Sequence, residues 1–143
     1  MIFQSVNLLI FKKKYFMKED SNTETTGTFK SLLTSGDLGG FRVAFKMQLS
    51  KGFEVEYKKR HDKLWPDLAA LLTSSGISDY SVFLDETTGS LFGVMKANNK
   101  EALNDLPAHP IMKKWWAYMR DIMETNEDNS PVSVPLMEVF YLA

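Results

Sequence analysis

The sequence contains no cysteine and only two histidines among its 143 residues. Without cysteine, disulfides, thiolate nucleophiles and thiolate-bound metals are excluded, and the composition is compatible with a cytoplasmic protein. The two histidines lack further ligands at the fixed spacing of a zinc site, so we expect no bound metal. If the protein is an enzyme, its histidines are therefore the first candidates for proton transfer near neutral pH.

The sequence also lacks a large excess of positive or negative charge, and it lacks long apolar runs. The net charge is −1, whereas a nucleic-acid-binding protein presents a basic face or stripe. The apolar run within residues 1–16 is far shorter than the roughly 20 residues of a membrane-spanning helix. Its lysines follow the run, which is the reverse of the charge order in a signal peptide. We therefore expect no nucleic-acid partner, no membrane segment and no targeting peptide.

The chain divides near residue 40. Residues 18–40 are rich in Ser, Thr, Gly and charged residues, and such a stretch buries too little apolar surface to offset its ordering entropy. We predict a flexible N-terminal segment over residues 1–40 and one folded domain over residues 41–143. Met17 is a credible alternative start, which leads to the hypothesis that residues 1–16 are not translated in the cell.

The predicted domain begins with a strand and a long helical run. Apolar and polar residues alternate over residues 42–49, which predicts a half-buried strand. A helical run follows from about Phe53 to Ser75, with an apolar stripe at helical spacing. Pro66 lies inside this run and has no N–H group, so it is expected to kink the helix or to restart it.

The remainder of the domain is predicted to contain a hairpin, two helices and a last strand. These elements are strands over residues 80–84 and 91–95, a helix ending at Leu106, a helix from Pro110 to about Glu124, and a strand over residues 136–142. The resulting order is that of a ferredoxin-like βαββαβ fold of the α+β class, with helices on one sheet face. We expect a second subunit to cover the other face, which would close two sheets into a dimeric α/β barrel.

His61 is the candidate catalytic residue. Tyr57 precedes it by four residues and Trp65 follows it by four, so a continuous helix would place three rings on one face. One interpretation is a solvated histidine on a charged helix surface. The other is a general acid–base residue in the wall of a pocket. His109, which lies in a loop or at a helix start, is expected to be structural or incidental.

Aromatic residues form a second group of candidates. Trp115 and Trp116 are adjacent on a predicted helix and point about 100° apart, so one can enter the core while the other lines a cleft. Two interpretations stay open: both indoles pack internally, or they form a platform for a sugar, since indole has an apolar face and an N–H donor. On composition alone, Tyr80 is an aromatic residue that opens the second strand.

Several segments occur together in an order that resembles the L-rhamnose mutarotases. These segments are Tyr57–His61, Leu64–Pro66, Asp79–Tyr80, Leu84–Asp85, Lys114–Met119, Asp128–Val132 and Glu138–Leu142. The resemblance covers about residues 41–143 and implies a ferredoxin-like homodimer that interconverts the α and β anomers of L-rhamnose without a cofactor. It also implies that His61 is the proton donor. The sugar-binding residues that it implies are Tyr57, Tyr80, Trp115 and Trp116.

The reaction implied by this resemblance is an isomerisation that needs only proton transfers. A proton goes to the ring oxygen, another leaves the anomeric hydroxyl, and the free aldehyde turns and closes on its other face. General acid–base catalysis suits such a reaction, and the expected partner is a small sugar. Two other functions stay open: a cofactor-independent monooxygenase or isomerase of the same barrel architecture, and a sugar-binding module without catalysis.

Overall fold

A four-stranded antiparallel sheet organises residues 40–143, which are the residues described by the computed structural model of the protein. The strands are β1 (Phe41–Gln48), β2 (Ile77–Asp85), β3 (Ser90–Ala97) and β4 (Val134–Leu136). Their order in the sheet is β2-β3-β1-β4, which is consistent with the predicted ferredoxin-like topology. The predicted N-terminal segment and alternative start lie outside the described residues.

The helices are shorter and more numerous than the sequence pattern predicts. They are α1 (Glu54–Asp62), α2 (Pro66–Ser74), α3 (Lys100–Asp105) and α4 (Pro110–Met119), with a 3₁₀ turn at Leu106–Ala108. The predicted helical run over residues 53–75 is therefore two helices. Trp65 has extended backbone angles (φ −62°, ψ 131°) and Pro66 is the first residue of α2. A proline disfavours the helical conformation of its predecessor but suits the first turn of a new helix.

The helix predicted to continue to about Glu124 ends instead at Met119. The residues after it pair with the end of β1, because the Ser50 N–H donates to the Ile122 carbonyl at 2.9 Å and the Glu124 N–H donates to the Gln48 carbonyl at 3.0 Å. Ile122 is completely buried by this arrangement. Pairing with β1 thus takes the place of the last helical turn.

The hairpin is confirmed, but the last strand lies elsewhere. β2 and β3 pair from Ile77 opposite Ala97 to Asp85 opposite Ser90. The predicted strand over residues 136–142 is observed only at Val134–Leu136, which pairs with three residues of β1. Beyond Leu136 the chain contacts β1 through side chains rather than through a backbone ladder, since Arg42 binds Glu138.

The core lies between the helices and one face of the sheet. Along β1, Val43 and Met47 are buried and Lys46 is exposed, which confirms the predicted alternation. The buried cluster combines strand, helix and connecting residues: Met47, Leu49, Tyr57, Leu68, Leu91, Trp115, Met119, Ile122 and Met123. The opposite face carries exposed apolar side chains, among them Phe83 and Val134.

No helix within residues 40–143 is long and apolar enough to cross a bilayer.

Candidate functional site

His61 and Tyr57 lie on the same face of α1, as their spacing predicts. Their rings stack with centroids 4.3 Å apart and planes inclined by 26°. Tyr57 is the one buried residue of the nine in α1, while His61 is half-buried at the edge of the core. The stacking removes His61 from the charged, solvated surface formed by its neighbours along the sequence.

One hydrogen bond defines which nitrogen of His61 can exchange protons. Its Nδ1 lies 3.0 Å from the backbone carbonyl oxygen of Tyr57. A carbonyl only accepts, so Nδ1 carries a proton and Nε2 is the nitrogen left for exchange. Burial lowers the pKa of His61, and the Tyr57 carbonyl and the charge of Asp62 oppose this shift without cancelling it. At neutral pH the imidazole is therefore mainly uncharged.

Trp115 supplies the second wall beside His61. Its ring meets the imidazole edge-on, with centroids 5.3 Å apart and planes at 90°. Trp115 is buried, whereas the neighbouring Trp116 is half-buried against the core. This difference fits the expected 100° between adjacent helix positions. The structure thus brings Trp115, rather than Trp116, into ring contact with His61.

Trp65 joins this group from outside α1. Its ring contacts Trp115 edge-on at 5.2 Å between centroids and Tyr118 at 5.5 Å. The prediction that Trp65 shares a helical face with His61 is wrong, because Pro66 ends the regular helix before it and starts α2. We call Tyr57, His61, Trp65, Trp115 and Tyr118 the aromatic cluster. Tyr118 belongs to it without having been singled out as a site residue from the sequence.

A β-bulge aims Tyr80 toward the helix side of the sheet. Ser78 pairs with Lys96, and Ser81 pairs with Val94. Asp79 and Tyr80 together therefore oppose a single residue of β3, the buried Met95. Asp79 takes a positive φ of 47°, a conformation that costs energy for a residue with a side chain. Such bulges redirect side chains and recur next to functional sites.

Tyr80 contacts the ring of Phe45, which in turn lies over Gly93. The rings of Tyr80 and Phe45 lie 6.2 Å apart. Gly93 stands opposite Phe45 in the ladder, and a Cβ placed there would lie 2.4 Å from the Phe45 ring. A glycine is thus required for Phe45 to cross the strand. The match between Phe45 on β1 and Gly93 on β3 joins residues that are distant in the sequence, so no local sequence pattern predicts it.

The hydroxyls of both candidate tyrosines, Tyr57 and Tyr80, are protonated at neutral pH. Burial raises the pKa of Tyr80 to about 12, although 43% of the residue is accessible to solvent. Burial also raises the pKa of Tyr57, and the nearby Tyr80 adds to this shift. Each phenol can therefore donate one hydrogen bond and accept others.

The remaining histidine has a structural role, as expected. His109 precedes α4, and its Nδ1 accepts a hydrogen bond from the Ile111 N–H at 3.2 Å. This contact satisfies one of the free N–H groups at the start of the helix. Within residues 40–143, no group of three or more His, Cys, Asp or Glu side chains is arranged to hold a metal ion.

Comparison with known proteins identifies the family. A model of the L-rhamnose mutarotase family matches residues 42–142. The L-rhamnose mutarotase of Flavobacterium johnsoniae is 58% identical over 101 residues, covering 71% of this chain and 94% of that protein. The chain belongs to the L-rhamnose mutarotase family. The L-rhamnose mutarotase of Sinorhizobium fredii is also similar, at 56% identity over 102 residues, 71% of this chain and 98% of that protein.

A crystal structure supports the same assignment. The L-rhamnose mutarotase of Formosa agariphila matches with a TM-score of 0.69 and 52% identity, over 73% of this chain and the whole of that one. These matches favour the mutarotase interpretation over the monooxygenase and the sugar-binding module. Membership of the family makes this chain an isomerase, and it concerns the part of the chain from β1 to the C-terminal segment.

Proposed function

We propose that this protein interconverts the α and β anomers of L-rhamnose, with His61 as the proton-transfer residue. The observation that carries the proposal is the setting of His61 within a chain of the mutarotase family. Its Nδ1 is committed to the Tyr57 carbonyl and its ring is enclosed by Tyr57 and Trp115. Such a histidine is oriented and partly desolvated, and burial lowers its pKa, which are features that recur at functional sites.

The aromatic side chains supply the surfaces that a sugar needs. A pyranose has C–H groups on its faces, which pack on indole, and hydroxyls around its rim, which need hydrogen-bond partners. In the proposed complex Trp115 and Trp116 provide apolar contact, and the neutral phenols of Tyr57 and Tyr80 bind hydroxyls. Support comes from the exposure of Tyr80 and from the raised pKa values of both tyrosines.

The proposed mechanism uses two proton transfers. The protonated imidazole of His61 donates the Nε2 proton to the ring oxygen while the bond between that oxygen and the anomeric carbon breaks. The anomeric hydroxyl loses its proton to water or to a second group and becomes the aldehyde oxygen. The aldehyde turns about its bond to C2, and the reverse transfers close the ring on the other face. No step requires a metal or a cofactor.

Burial of His61 has two opposing effects on this chemistry. A lowered pKa makes the imidazolium scarcer at neutral pH, and it also makes that imidazolium a stronger acid. General acid–base catalysts work best when their pKa lies near the working pH, and they contribute about 10²–10⁴-fold. That range is sufficient for a reaction that already proceeds slowly in water.

The proposal includes a homodimer joined through the open face of the sheet as a dimeric α/β barrel. Phe83 is 61% exposed and Val134 is 52% exposed on this face. The C-terminal segment, Met137–Leu142, adds further exposed apolar side chains. Large exposed apolar surfaces of this kind mark interaction sites. A cytoplasmic location, which a cysteine-free composition suits, completes the proposal.

Anomer exchange followed by NMR tests the proposed activity. Wild-type protein is added to equilibrated L-rhamnose, one anomeric proton is saturated, and transfer of saturation to the other anomer is measured. Transfer well above the protein-free rate is the expected result, with L-fucose examined in parallel for sugar preference. If neither sugar exchanges faster than in buffer alone, the proposed activity is wrong.

A further inference from the structure

Helix α1 carries His61 but has little apolar anchorage of its own. Of its nine residues, Tyr57 alone is buried. A helix normally stays in place by burying an apolar stripe against the core. The position of His61 relative to Trp115 on α4 therefore depends on a further contact between α1 and the α4 region of the chain.

Arg60 provides that contact. Its Nη1 donates to Oδ1 of Asp121 at 2.7 Å and its Nη2 donates to Oδ2 at 3.0 Å. This is a two-point arrangement in which the planar guanidinium matches the planar carboxylate. The Nε of the same guanidinium donates a hydrogen bond to Oε1 of Glu56 at 2.9 Å. Arg60 is thereby fixed to its own helix and to the residues after α4 at the same time.

The same guanidinium reaches into the aromatic cluster. It donates to the backbone carbonyl of Tyr118, and its central carbon lies 4.4 Å from the centroid of the Tyr118 ring. Tyr118 in turn contacts Trp115 at 5.7 Å between centroids. Since Trp115 meets His61 edge-on, a continuous series of contacts runs from Arg60 to the imidazole.

The far end of this contact is itself rigidly held. Asp121 is followed by Ile122, which is completely buried and whose carbonyl accepts from Ser50 at 2.9 Å. Met123 then forms a bridge with Leu49 at the end of β1. Arg60 therefore connects α1 to a segment that is itself paired with the sheet.

Burial separates this ion pair from an ordinary surface pair. The side chain of Arg60 is 11% exposed and that of Asp121 is 60% exposed, so it is the guanidinium that is held inside the protein, whereas in ordinary surface pairs both side chains are flexible and contribute little. The Asp121 carboxylate, whose pKa is lowered chiefly by its hydrogen bonds from Arg60, is ionised throughout the neutral range. The pair is thus present under the conditions in which the enzyme would work.

We propose that the Arg60–Asp121 pair is a positioning element for proton transfer, which holds the imidazole of His61 in register with Trp115 and the sugar. Arg60 acts through α1 and Tyr118 and does not touch the reacting atoms. The inference rests on the proposed mutarotase function. Small displacements of a catalytic group cost up to about 10²-fold in rate, so loosening this pair should lower kcat more than it changes KM.

The test compares Arg60→Lys and Asp121→Asn with wild-type protein. Lysine keeps the charge of Arg60 but loses the fork, and asparagine keeps the shape of Asp121 but loses its charge. Lys58→Gln is the matched control, because it breaks a pair with Asp62 on the same helix whose side chains are 75% and 59% exposed. Circular dichroism and thermal melts establish which variants are folded.

Two readouts separate positioning from mere stability. The first is the kcat and KM of anomer exchange, where we expect kcat to fall roughly tenfold or more with a smaller change in KM. The second is the NMR signal of the His61 ring at pH 8, which ring currents from Tyr57 and Trp115 displace. With two histidines in the chain, the His109 signal serves as internal reference. In both variants the His61 signal should move toward that of an isolated imidazole.

The outcomes are decisive in either direction. A folded Asp121→Asn variant with wild-type kcat and an unmoved His61 signal overturns the proposal, and so does a moved signal without loss of kcat. If Arg60→Lys fails to fold, the asparagine variant decides alone. If wild-type protein shows no anomer exchange, the proposed function has failed, and the NMR signal still tests whether the pair holds the histidine in place.

Discussion

Two arginines on opposite sides of the sheet make the same kind of contact in different surroundings. Arg60 binds Asp121 and lies over the ring of Tyr118 on the helix-covered side. Arg42, whose side chain is 29% exposed, binds Glu138 with Nε at 2.7 Å and lies over an aromatic ring of the C-terminal segment. Each thus combines a carboxylate with an aromatic ring, and each joins parts of the chain that are far apart in sequence.

The surroundings decide what each contact can do. On the helix-covered side, the guanidinium adjoins packed rings and a titratable histidine, so its position affects their geometry. On the open side, Arg42 holds a segment whose Val139 and Phe140 are 87% and 78% exposed. The more deeply buried guanidinium is the one to which we assign the proposed positioning role, since the side chain of Arg60 is 11% exposed. The contact of Arg42 keeps a segment close to β1 while the apolar side chains of that segment stay exposed.

The largest expected effect concerns His61 on the covered side. His61→Gln should reduce catalysed anomer exchange by about 10²–10⁴-fold, because the proposed proton donor is removed while its shape is roughly kept. NMR saturation transfer measures the loss. His109→Asn is the control, since asparagine can still cap α4 and this histidine lies outside the site. An unchanged rate in His61→Gln would remove His61 from the mechanism.

The next effect is the pH dependence of exchange. In the proposed mechanism the acid is the His61 imidazolium, and burial lowers its pKa below 6.5. Catalysed exchange should therefore rise up to about tenfold for each unit by which the pH is lowered from pH 8 to that pKa, and it should then level off. Rates are corrected for protein-free exchange at each pH. A rate that stays constant or falls as the pH is lowered would instead identify neutral His61 as a base.

The same shift sets a direction for stability. The unfolded chain binds a proton at His61 near pH 6.5, whereas the folded protein binds it only at lower pH. The contribution of His61 to the free energy of unfolding is therefore complete above about pH 6.5 and is lost as the pH falls through the folded pKa. Urea unfolding of wild-type protein and His61→Gln at pH 7.5 and pH 5.5 measures this difference, which should be smaller in the variant.

A change on the open side should alter assembly without altering the fold. Phe83→Lys places a charge where the proposed dimer buries an apolar ring, so the protein should shift from dimer to monomer in sedimentation velocity. Val55→Lys, at a position 83% exposed on α1, is the matched control and should keep the wild-type mass. The proposed interface is wrong if Phe83→Lys remains a dimer, or if wild-type protein is already a monomer.

The smallest expected effect concerns the contact of Arg42. Arg42→Gln should lower the free energy of unfolding only slightly, because the pair is solvated and screened. Urea unfolding measures the change, with Lys58→Gln as a reference for a fully exposed pair. A loss clearly larger than that of Lys58→Gln would show that the open side is as strongly constrained as the covered side, and the contrast between the two arginines would fail.

Patterns within short stretches were the part of the fold that could be predicted. Alternation along β1, the hairpin of β2 and β3, and the interruption at Pro66 depend on neighbouring residues, and all three are observed. The ends of elements were predicted less well. The stop at Met119 and the short β4 depend on pairing with β1, which residues distant in the sequence supply.

The site divides in the same way. The contact between Tyr57 and His61 follows from the local sequence, because two side chains four residues apart on a helix lie together wherever that helix packs. Three other features depend on tertiary packing: Trp115 rather than Trp116 contacts the imidazole, a bulge turns Tyr80 toward the helices, and Arg60 binds a carboxylate 61 residues away. Helical periodicity is a local property of the backbone, whereas these contacts depend on how helices and strands pack together.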